Sequence, residues 1–439
     1  MSERRGVSIR SANFIRDRGQ TDRPFRNCAA LPTTKNRDTI MSLLLSQFIA
    51  ACRWMGAVEV TTVHAGNLFI NLADVMTEKH SAGIYAWWFI ASNELAHQAV
   101  VGFFLISGYL VGGSVLIELQ SGRPFLGNYF IHRFARIYVV LIPALLVTSA
   151  LDWIGRSYFA ESGIYESSMF KDHFRTSLFF AAIANLQAIY ADFFGTNGPL
   201  WSLACEFWYY VTFPLLAIPF AHAYSPMFRT VGFVAGVALT IALSLPPSWF
   251  LFGYLLWALG AFATLVPRPL IHSRFASLSL YIVAVVIIRL LLRGQILEAF
   301  PLLRYIADLL AAILFLNLMA ALRVAADWRR TPLGSLIHQR LADMSFSLYC
   351  IHMPALILIF AIIDHIGGSR WPQQLATAAH WLVLAGVLGT TVLASFIFSQ
   401  ITEARTREAR RALRTLIDRV EAKHATGAFT KAICQSTDD

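Results

Sequence analysis

Long apolar runs recur along this chain and restrict the folds that it can adopt. A helix needs roughly 20 apolar residues to cross a bilayer, and we read such spans at about 42–72, 98–118, 137–155, 201–220, 229–246, 248–266, 275–293, 303–321, 343–364 and 375–400. Charged residues make up only 14% of the chain, whereas soluble domains carry about a quarter. The sequence therefore predicts an all-α polytopic membrane protein, a bundle of about ten transmembrane helices.

The distribution of Lys and Arg between the loops predicts the orientation of the bundle. Segment 173–194 is ambiguous, because it is apolar enough either to span the membrane or to lie at its interface. If it does not span, most basic loops fall on one side, which the positive-inside rule assigns to the cytoplasm. This favours ten spans with both termini cytoplasmic. Residues 156–200 then form a long extracytoplasmic loop, and covering a substrate site is a reasonable hypothesis for it.

The two ends of the chain differ in composition from the apolar middle. Residues 1–41 are rich in Lys and Arg and lack an apolar core, so we expect a disordered cytoplasmic arm rather than a secretory signal. Residues 42–400 form the predicted membrane domain, and residues 401–439 form a charged cytoplasmic helix and tail.

The net charge of +10 reflects basic cytoplasmic loops, and we expect no nucleic-acid partner. The spacing of Cys and His residues predicts no metal site.

Three ionisable residues interrupt the first apolar run, CRWMGAVEVTTVHAGNLF. Arg53 and His64 are eleven residues apart, so on a helix they lie within about 20° of one face and roughly 16 Å apart along the axis. An arginine near the membrane surface suits a phosphate-bearing ligand, and a deeper imidazole suits proton transfer. The alternatives are a membrane-anchoring role for Arg53 and helix packing for His64. Glu59 lies off this face, and we expect it to have a structural partner.

Further polar residues occur inside or next to other spans. Glu206 follows Trp201 and Ser202 in NGPLWSLACEFWYY, and its carboxylate needs a partner such as His64 or an arginine. Arg133 and Arg136 share a helix face and, with Arg53, would bind phosphates together. The alternatives are a structural ion pair for the glutamate and a positive-inside role for the arginines.

Two other segments combine polar and small residues. Ser107 in GFFLISGYLVGG is a conceivable nucleophile, although its small neighbours favour close helix packing. Tyr349 and His352 in SLYCIHMP lie three residues apart on one face, where either catalysis or hydrogen bonding between helices would explain them.

Together these segments resemble the acyltransferase 3 family of integral-membrane O-acyltransferases. The similarity covers about residues 45–400 and consists of RWMGAVEVTTVH, GFFLISGYL, HRFARIYVVLIP, NGPLWSLACEFWYY and SLYCIHMP in this order. The resemblance implies transfer of acyl groups, mostly acetyl, from cytoplasmic acyl-CoA to hydroxyls of extracytoplasmic carbohydrates. The chain departs from the family at Ala50, Ala51 and Cys52, where many members carry an Asp, and at Glu59, which interrupts a usually apolar stretch. Some members carry a fused extracytoplasmic domain, which we do not expect here.

The resemblance also implies roles for individual residues. It assigns catalysis to His64 and links Arg133 and Arg136, together with Arg53, to the binding of the donor. The W-S-L-x-x-E motif falls on Trp201 to Glu206, and the late Y-x-x-H motif on Tyr349 and His352. We expect Glu206 to orient His64 or the acceptor, and Trp201, Ser202, Tyr349, His352 and Ser107 to support the substrates.

The leading hypothesis is a multi-pass enzyme of the cytoplasmic (inner) membrane, surrounded by the lipid bilayer. It would transfer acetyl from acetyl-CoA, or another acyl group from its CoA ester, to a carbohydrate such as exopolysaccharide or lipopolysaccharide. The alternative is a proton-coupled secondary transporter in which His64, Glu206 and His352 relay protons. The absence of a visible internal repeat disfavours transport.

Overall fold

The computed structural model describes residues 42–70, 79–246, 248–291, 300, 302–325, 335–368 and 378–419. The predicted N-terminal arm, residues 1–41, and the end of the predicted tail, residues 420–439, lie outside the described residues. Within them the fold is all-α, with no β-strand beyond one isolated bridge between Gln187 and Ala191. The predicted fold class is therefore confirmed.

The helices follow one another with short connections, except for one long loop before α7. Their bounds are α1 Leu43–Phe69, α2 Ala82–Ile90, α3 Asn93–Ser107, α4 Gly113–Gln120, α5 Leu126–Tyr158, α6 Thr176–Ile183, α7 Trp201–Ala217, α8 Pro226–Ser244, α9 Phe250–Ala263, α10 Arg274–Leu291, α11 Leu302–Val324, α12 Ser335–Gly367, α13 Ala378–Ile401 and α14, residues 406–419. A five-residue π-helix, Gly108–Gly112, joins α3 to α4.

Nine helical segments among the described residues are long and apolar enough to cross a membrane. The remaining predicted span, 248–266, corresponds to α9, which has only 14 residues and falls short of the roughly 20 that a span needs. The ambiguous segment 173–194 contains only α6, an eight-residue helix followed by turns, so it is too short to cross. Which end of the bundle faces the cytoplasm stays a prediction.

Helix α12 lies at the centre of the bundle. It packs against α1, α5 and α13, and its side chains contribute to several buried apolar clusters.

Helices α8 and α10 lie at the outside of the bundle and expose most of their apolar side chains, including Val231, Val234, Ile282 and Ile287. Because apolar side chains can face lipid at no cost, this surface belongs against the bilayer.

Small residues bring two helices into backbone contact. A Cβ atom on Gly108 would overlap the carbonyl oxygen of Trp257, and one on Gly260 would overlap that of Leu105. The segment around Ser107 therefore lies directly against α9, which confirms the close packing predicted from its glycines. The π-helix begins at the residue after Ser107, and such bulges are frequent at functional sites.

The loop of residues 159–200 covers one end of α1 and α12. Tyr165 and Phe170 are buried against Met353 and Ile357 of α12, with Leu68 of α1 at the edge of the same cluster. Met353 directly follows His352, and Leu68 lies one helical turn after His64. The loop is therefore packed over the positions next to both histidines.

Candidate active site

A cavity of about 340 Å³ lies inside the bundle, between α1, α3, α5, α7 and α12. Its charged lining residues are Arg53 from α1, Arg133 and Arg136 from α5, and Glu206 from α7. Cavities that bind small molecules usually measure about 300–1,000 Å³ and combine apolar walls with a few polar groups. The three arginines that sequence analysis singled out therefore meet at one cavity, although their role in binding a donor stays a prediction.

The arginines differ in their carboxylate partners. A guanidinium nitrogen of Arg136 lies 3.7 Å from a carboxylate oxygen of Glu403, which precedes α14. No carboxylate of the described residues lies within ion-pair distance of Arg133, and its buried Nε has no hydrogen-bond partner there. An unpaired guanidinium in a cavity favours an anionic ligand, because burial of such a charge is costly without a partner.

Glu206 is held by hydroxyl groups deeper in the same cavity. Both Ser107 Oγ and the Tyr210 hydroxyl donate short hydrogen bonds to its Oε1 atom. The indole Nε1 of Trp257 in turn donates to Ser107 Oγ over 3.0 Å. Since Ser107 Oγ already donates its proton to Glu206, it serves here as a polar support rather than as a free nucleophile.

A second chain of hydrogen bonds joins α7 to α12. The Tyr349 hydroxyl donates to the carbonyl oxygen of Pro199, so Ser202 Oγ, 2.6 Å away, must donate to Tyr349. Asn197 Nδ2 donates to the carbonyl oxygen of Cys350 over 2.8 Å. The start of α7, which carries Trp201 and Ser202, is therefore fixed against the turn of α12 that carries Tyr349.

His64 and His352 form a pair beside the cavity, with ring centroids 5.4 Å apart. The ring of Tyr349, which lines the cavity, lies 5.9 Å from that of His352. His352 is fully buried, and its Nδ1 lies 2.9 Å from the Tyr349 carbonyl oxygen. Because a carbonyl oxygen only accepts hydrogen bonds, Nδ1 carries the proton and Nε2 is unprotonated in the neutral ring. That Nε2 atom has no hydrogen-bond partner among the described residues.

Two expectations about individual carboxylates differ from the geometry. Glu206 accepts hydrogen bonds from Ser107 and Tyr210, and no hydrogen bond joins it to His64 in the described part of the chain. The expected structural partner of Glu59 is not found among the described residues, where its buried Oε1 has no hydrogen-bond partner. Helical spacing gives the face on which a side chain lies, but the residue opposite depends on the rotation of the neighbouring helix.

Sequence analysis missed three polar residues of this site. Tyr210 lies one turn after Glu206 on α7, a spacing that could have indicated it. Trp257 reaches Ser107 from α9, and no local pattern marks it. Glu403 was assigned to a solvated cytoplasmic helix, but it is only 9% exposed and also accepts hydrogen bonds from the backbone N–H and the hydroxyl of Ser347.

Another buried polar cluster lies between α3 and α11, apart from the cavity. Asp308 accepts hydrogen bonds from Gln98 Nε2 over 2.7 Å and pairs with His97 Nε2 at 2.8 Å. Asp308 is 1% exposed, and its two partners satisfy it in the way that a buried carboxylate requires. No group of three or more potential metal ligands occurs among the described residues.

Comparison with known proteins agrees with this arrangement. The model of a family described as "Acyltransferase domain" matches residues 47–399, which is most of the chain. The chain belongs to the acyltransferase 3 family. The match spans every helix from α1 to α13 that contributes to the cavity or to the histidine pair. The chain is therefore a multi-pass membrane protein that contains the acyltransferase domain of this family.

Other comparisons are less extensive. The chain is 32% identical over 124 residues to an uncharacterized protein of Haemophilus influenzae. The matched segment is 26% of this chain and 47% of that protein. The chain thus spans about half the length of the curated relative that it matches. No solved structure matches the chain significantly.

Proposed function

We propose that this acyltransferase transfers an acetyl group from cytoplasmic acetyl-CoA to a hydroxyl of an extracytoplasmic carbohydrate. The observation that carries the proposal is that one cavity is lined both by three arginines and by Tyr349, whose ring lies 5.9 Å from that of His352. A donor with a phosphate-bearing head and a thioester arm needs a basic site for the phosphates. It also needs a separate site for proton transfer at the thioester.

The distance between the sites supports such a donor. Arg53 and His64 lie on one uninterrupted helix, α1, and eleven residues of helix span roughly 16 Å. This is comparable to the length of the arm that carries the thioester of coenzyme A. The arginines would bind the phosphates through charge-assisted hydrogen bonds, while the arm would extend along the apolar wall towards Tyr349.

His64 would act as the general base in the transfer. It would take the proton from the acceptor hydroxyl, whose oxygen attacks the thioester carbonyl carbon. The bond to sulfur then breaks, and the imidazolium returns the proton to the leaving thiolate of coenzyme A. No net charge is formed, and no metal takes part in these steps.

His352 would position His64 rather than touch the substrates. Its unprotonated Nε2 has no partner among the described residues, so it can accept a hydrogen bond from one ring nitrogen of His64. Such a bond would leave the other nitrogen of His64 unprotonated and available as the base, in the way that buried partners commonly fix the tautomer of catalytic histidines.

Transport with a proton relay is the second candidate, but the hydrogen bonds give it little support. Glu206 is joined to Ser107 and Tyr210 and not to either histidine in the described residues. Binding of coenzyme A that depends on Arg133 and Arg136 would favour the acyltransferase, whereas proton-coupled uptake without cleavage of a thioester would favour transport.

The direct test uses membranes that contain the protein and radiolabelled acetyl-CoA. We expect label to appear in a glycan fraction with the wild type and not with His64→Ala. His272→Ala is the matched control, because His272 is exposed on the loop after α9. Near wild-type transfer by His64→Ala would refute the catalytic assignment. Mass spectrometry of surface glycans from a deletion strain, with loss of one acetyl mass, would identify the acceptor.

A further inference from the structure

A second cavity, of about 640 Å³, lies between α14, the start of α5 and the start of α8. Its walls are largely apolar, with Phe130 and Phe134 from α5, Phe228 from α8, and Leu413 and Ile417 from α14. It shares no lining residue with the arginine cavity. The proposed transfer reaction therefore gives it no role.

Helix α14 is amphipathic and turns its apolar side to this cavity. Ala409, Leu413 and Ile417 are partly buried and follow each other at one-turn spacing, whereas Arg407 and Arg411 are exposed. A helix of this kind lies along the membrane interface, with its apolar side towards the hydrocarbon and its basic side towards the headgroups. The cavity is thus enclosed by an amphipathic helix and two helices of the bundle.

Two arginines one turn apart on α14, Arg410 and Arg414, bring positive charge to one part of the cavity. Arg414 lines it, and both Arg414 and Arg410 are close enough to interact electrostatically with His132 of α5, as does Arg133. The buried Nε of Arg410 has no hydrogen-bond partner among the described residues. Asp418 also lines the cavity and is its acidic lining residue, so the positive charge is concentrated one turn before it.

We propose that this cavity binds an anionic phospholipid. Arg410 and Arg414 contact its phosphate, and the acyl chains lie along Phe130, Phe134 and Ile417. A ligand that matches both an apolar wall and a basic rim must be amphiphilic. Helix α8 continues the wall as a surface of exposed apolar side chains such as Val231, so a chain in the cavity also contacts the surrounding bilayer.

The site is tested by the binding of defined lipids to the full chain. The protein is purified in a neutral detergent, depleted of lipid, and titrated with phosphatidylglycerol or phosphatidylcholine of the same acyl chains under native mass spectrometry. We expect phosphatidylglycerol to bind about tenfold more tightly. The double variant Arg410→Ala/Arg414→Ala should lose about 25-fold in affinity for it, since each basic residue near an anionic headgroup contributes about fivefold.

Two further variants sharpen the test. Arg407→Ala/Arg411→Ala removes the same charge from the exposed side of α14, so its affinity for phosphatidylglycerol should stay within about twofold of the wild type. Asp418→Asn removes the acidic lining residue, and it should bind phosphatidylglycerol severalfold more tightly. A variant that raises affinity cannot be explained by unfolding.

Four outcomes would overturn the proposal. The first is equal binding of the two lipids, and the second is an equal loss in both double variants. The third is displacement of phosphatidylglycerol by glycerol 3-phosphate at similar concentrations, which would show a site for soluble phosphates. The fourth is displacement by coenzyme A, which would show a site for the adenosine part of the donor.

Discussion

The arginine cavity and the histidine pair are two polar regions of one membrane domain, and they are built differently. Among the described residues, Arg136 has a carboxylate partner in Glu403, whereas Arg133 has none. The histidines lie against one another, and His352 makes its hydrogen bonds to backbone carbonyl groups of its own helix. The first region suits a charged ligand, and the second suits proton transfer by neutral rings.

The difference separates binding from chemistry along α1. If the cavity binds the donor phosphates, substitutions there should change the KM for acyl-CoA more than kcat. Substitutions in the histidine pair should change kcat more than KM, because they remove an interaction that counts only in the transition state.

Replacement of the histidines should have the largest effect. His64→Ala should lower kcat by about 10²–10⁴-fold, the usual contribution of a general base, with the KM for acyl-CoA within about threefold. His352→Ala should lower kcat less, by about tenfold to 100-fold, because it acts through His64. The rates are measured with labelled acyl-CoA in membranes that contain equal amounts of each variant.

The pH profile separates the two histidines. If His352 only fixes the tautomer of His64, His352→Asn should recover part of the activity, since an amide oxygen can also accept a hydrogen bond. His352→Ala should keep a pH dependence that His64→Ala lacks. If the two alanine variants are equally inactive and neither is rescued by Asn, the histidines act as one unit rather than as base and partner.

Replacement of the arginines should have the next largest effect. This effect should fall on the KM for acyl-CoA rather than on kcat. Arg133→Ala/Arg136→Ala should raise the KM for acyl-CoA by about tenfold to 100-fold, because two charge-assisted hydrogen bonds to phosphate are lost. Lysine at both positions should restore only part of the binding, since it lacks the planar guanidinium fork.

Arg268→Ala is the matched control for the arginine variant. Arg268 is exposed on the loop after α9, so its loss removes one positive charge without changing the cavity. A fall in kcat with unchanged KM in the double variant would place the arginines in the chemical step, and the division between the two regions would fail.

Glu206 lines the arginine cavity, but its hydroxyl partners give it a polar environment of its own. We expect its replacement to change kcat/KM less than replacement of the histidines or arginines changes their kinetic constants. Glu206→Gln keeps an acceptor oxygen but removes the charge that both hydroxyl groups bind. It should lower kcat/KM about tenfold, which corresponds to the loss of about 1.4 kcal/mol. Tyr210→Phe removes one of the two donors and should cost about threefold. A larger effect of Tyr210→Phe would mean that the phenol, not the carboxylate, contacts the substrate.

Sequence reasoning described the helical framework better than the contacts across it. The apolar runs predicted the bundle, and the shared face of Arg133 and Arg136 depends only on helix geometry, which is local. The hydrogen-bond partners of Glu206 and the surroundings of Glu59 depend on how the helices rotate against each other. No local sequence pattern records that rotation. The apolar run 248–266 continues beyond both ends of α9, so the sequence predicted a longer helix than the 14 residues that the structure has.

Glu403 shows most clearly what the sequence could not reveal. It stands in a run of alternating Arg and Glu that is typical of a solvated helix. Its burial requires that the chain after α13 turns back towards α12 and α5, so that its carboxylate meets Ser347 and Arg136. Only the tertiary structure brings these three residues together.

The smallest predicted effect concerns this carboxylate. Glu403→Gln keeps the hydrogen bonds to Ser347 but removes a negative charge beside the arginines. If Arg136 must leave Glu403 to bind donor phosphate, the KM for acyl-CoA should fall about two- to fivefold, and high salt should reduce the difference. Glu408→Gln is the control, because Glu408 is exposed and pairs with Arg405. A rise in KM would instead mean that Glu403 holds Arg136 in its binding position. The arginine cavity would then resemble the histidine pair, because in both regions a buried partner would hold the functional side chain in place.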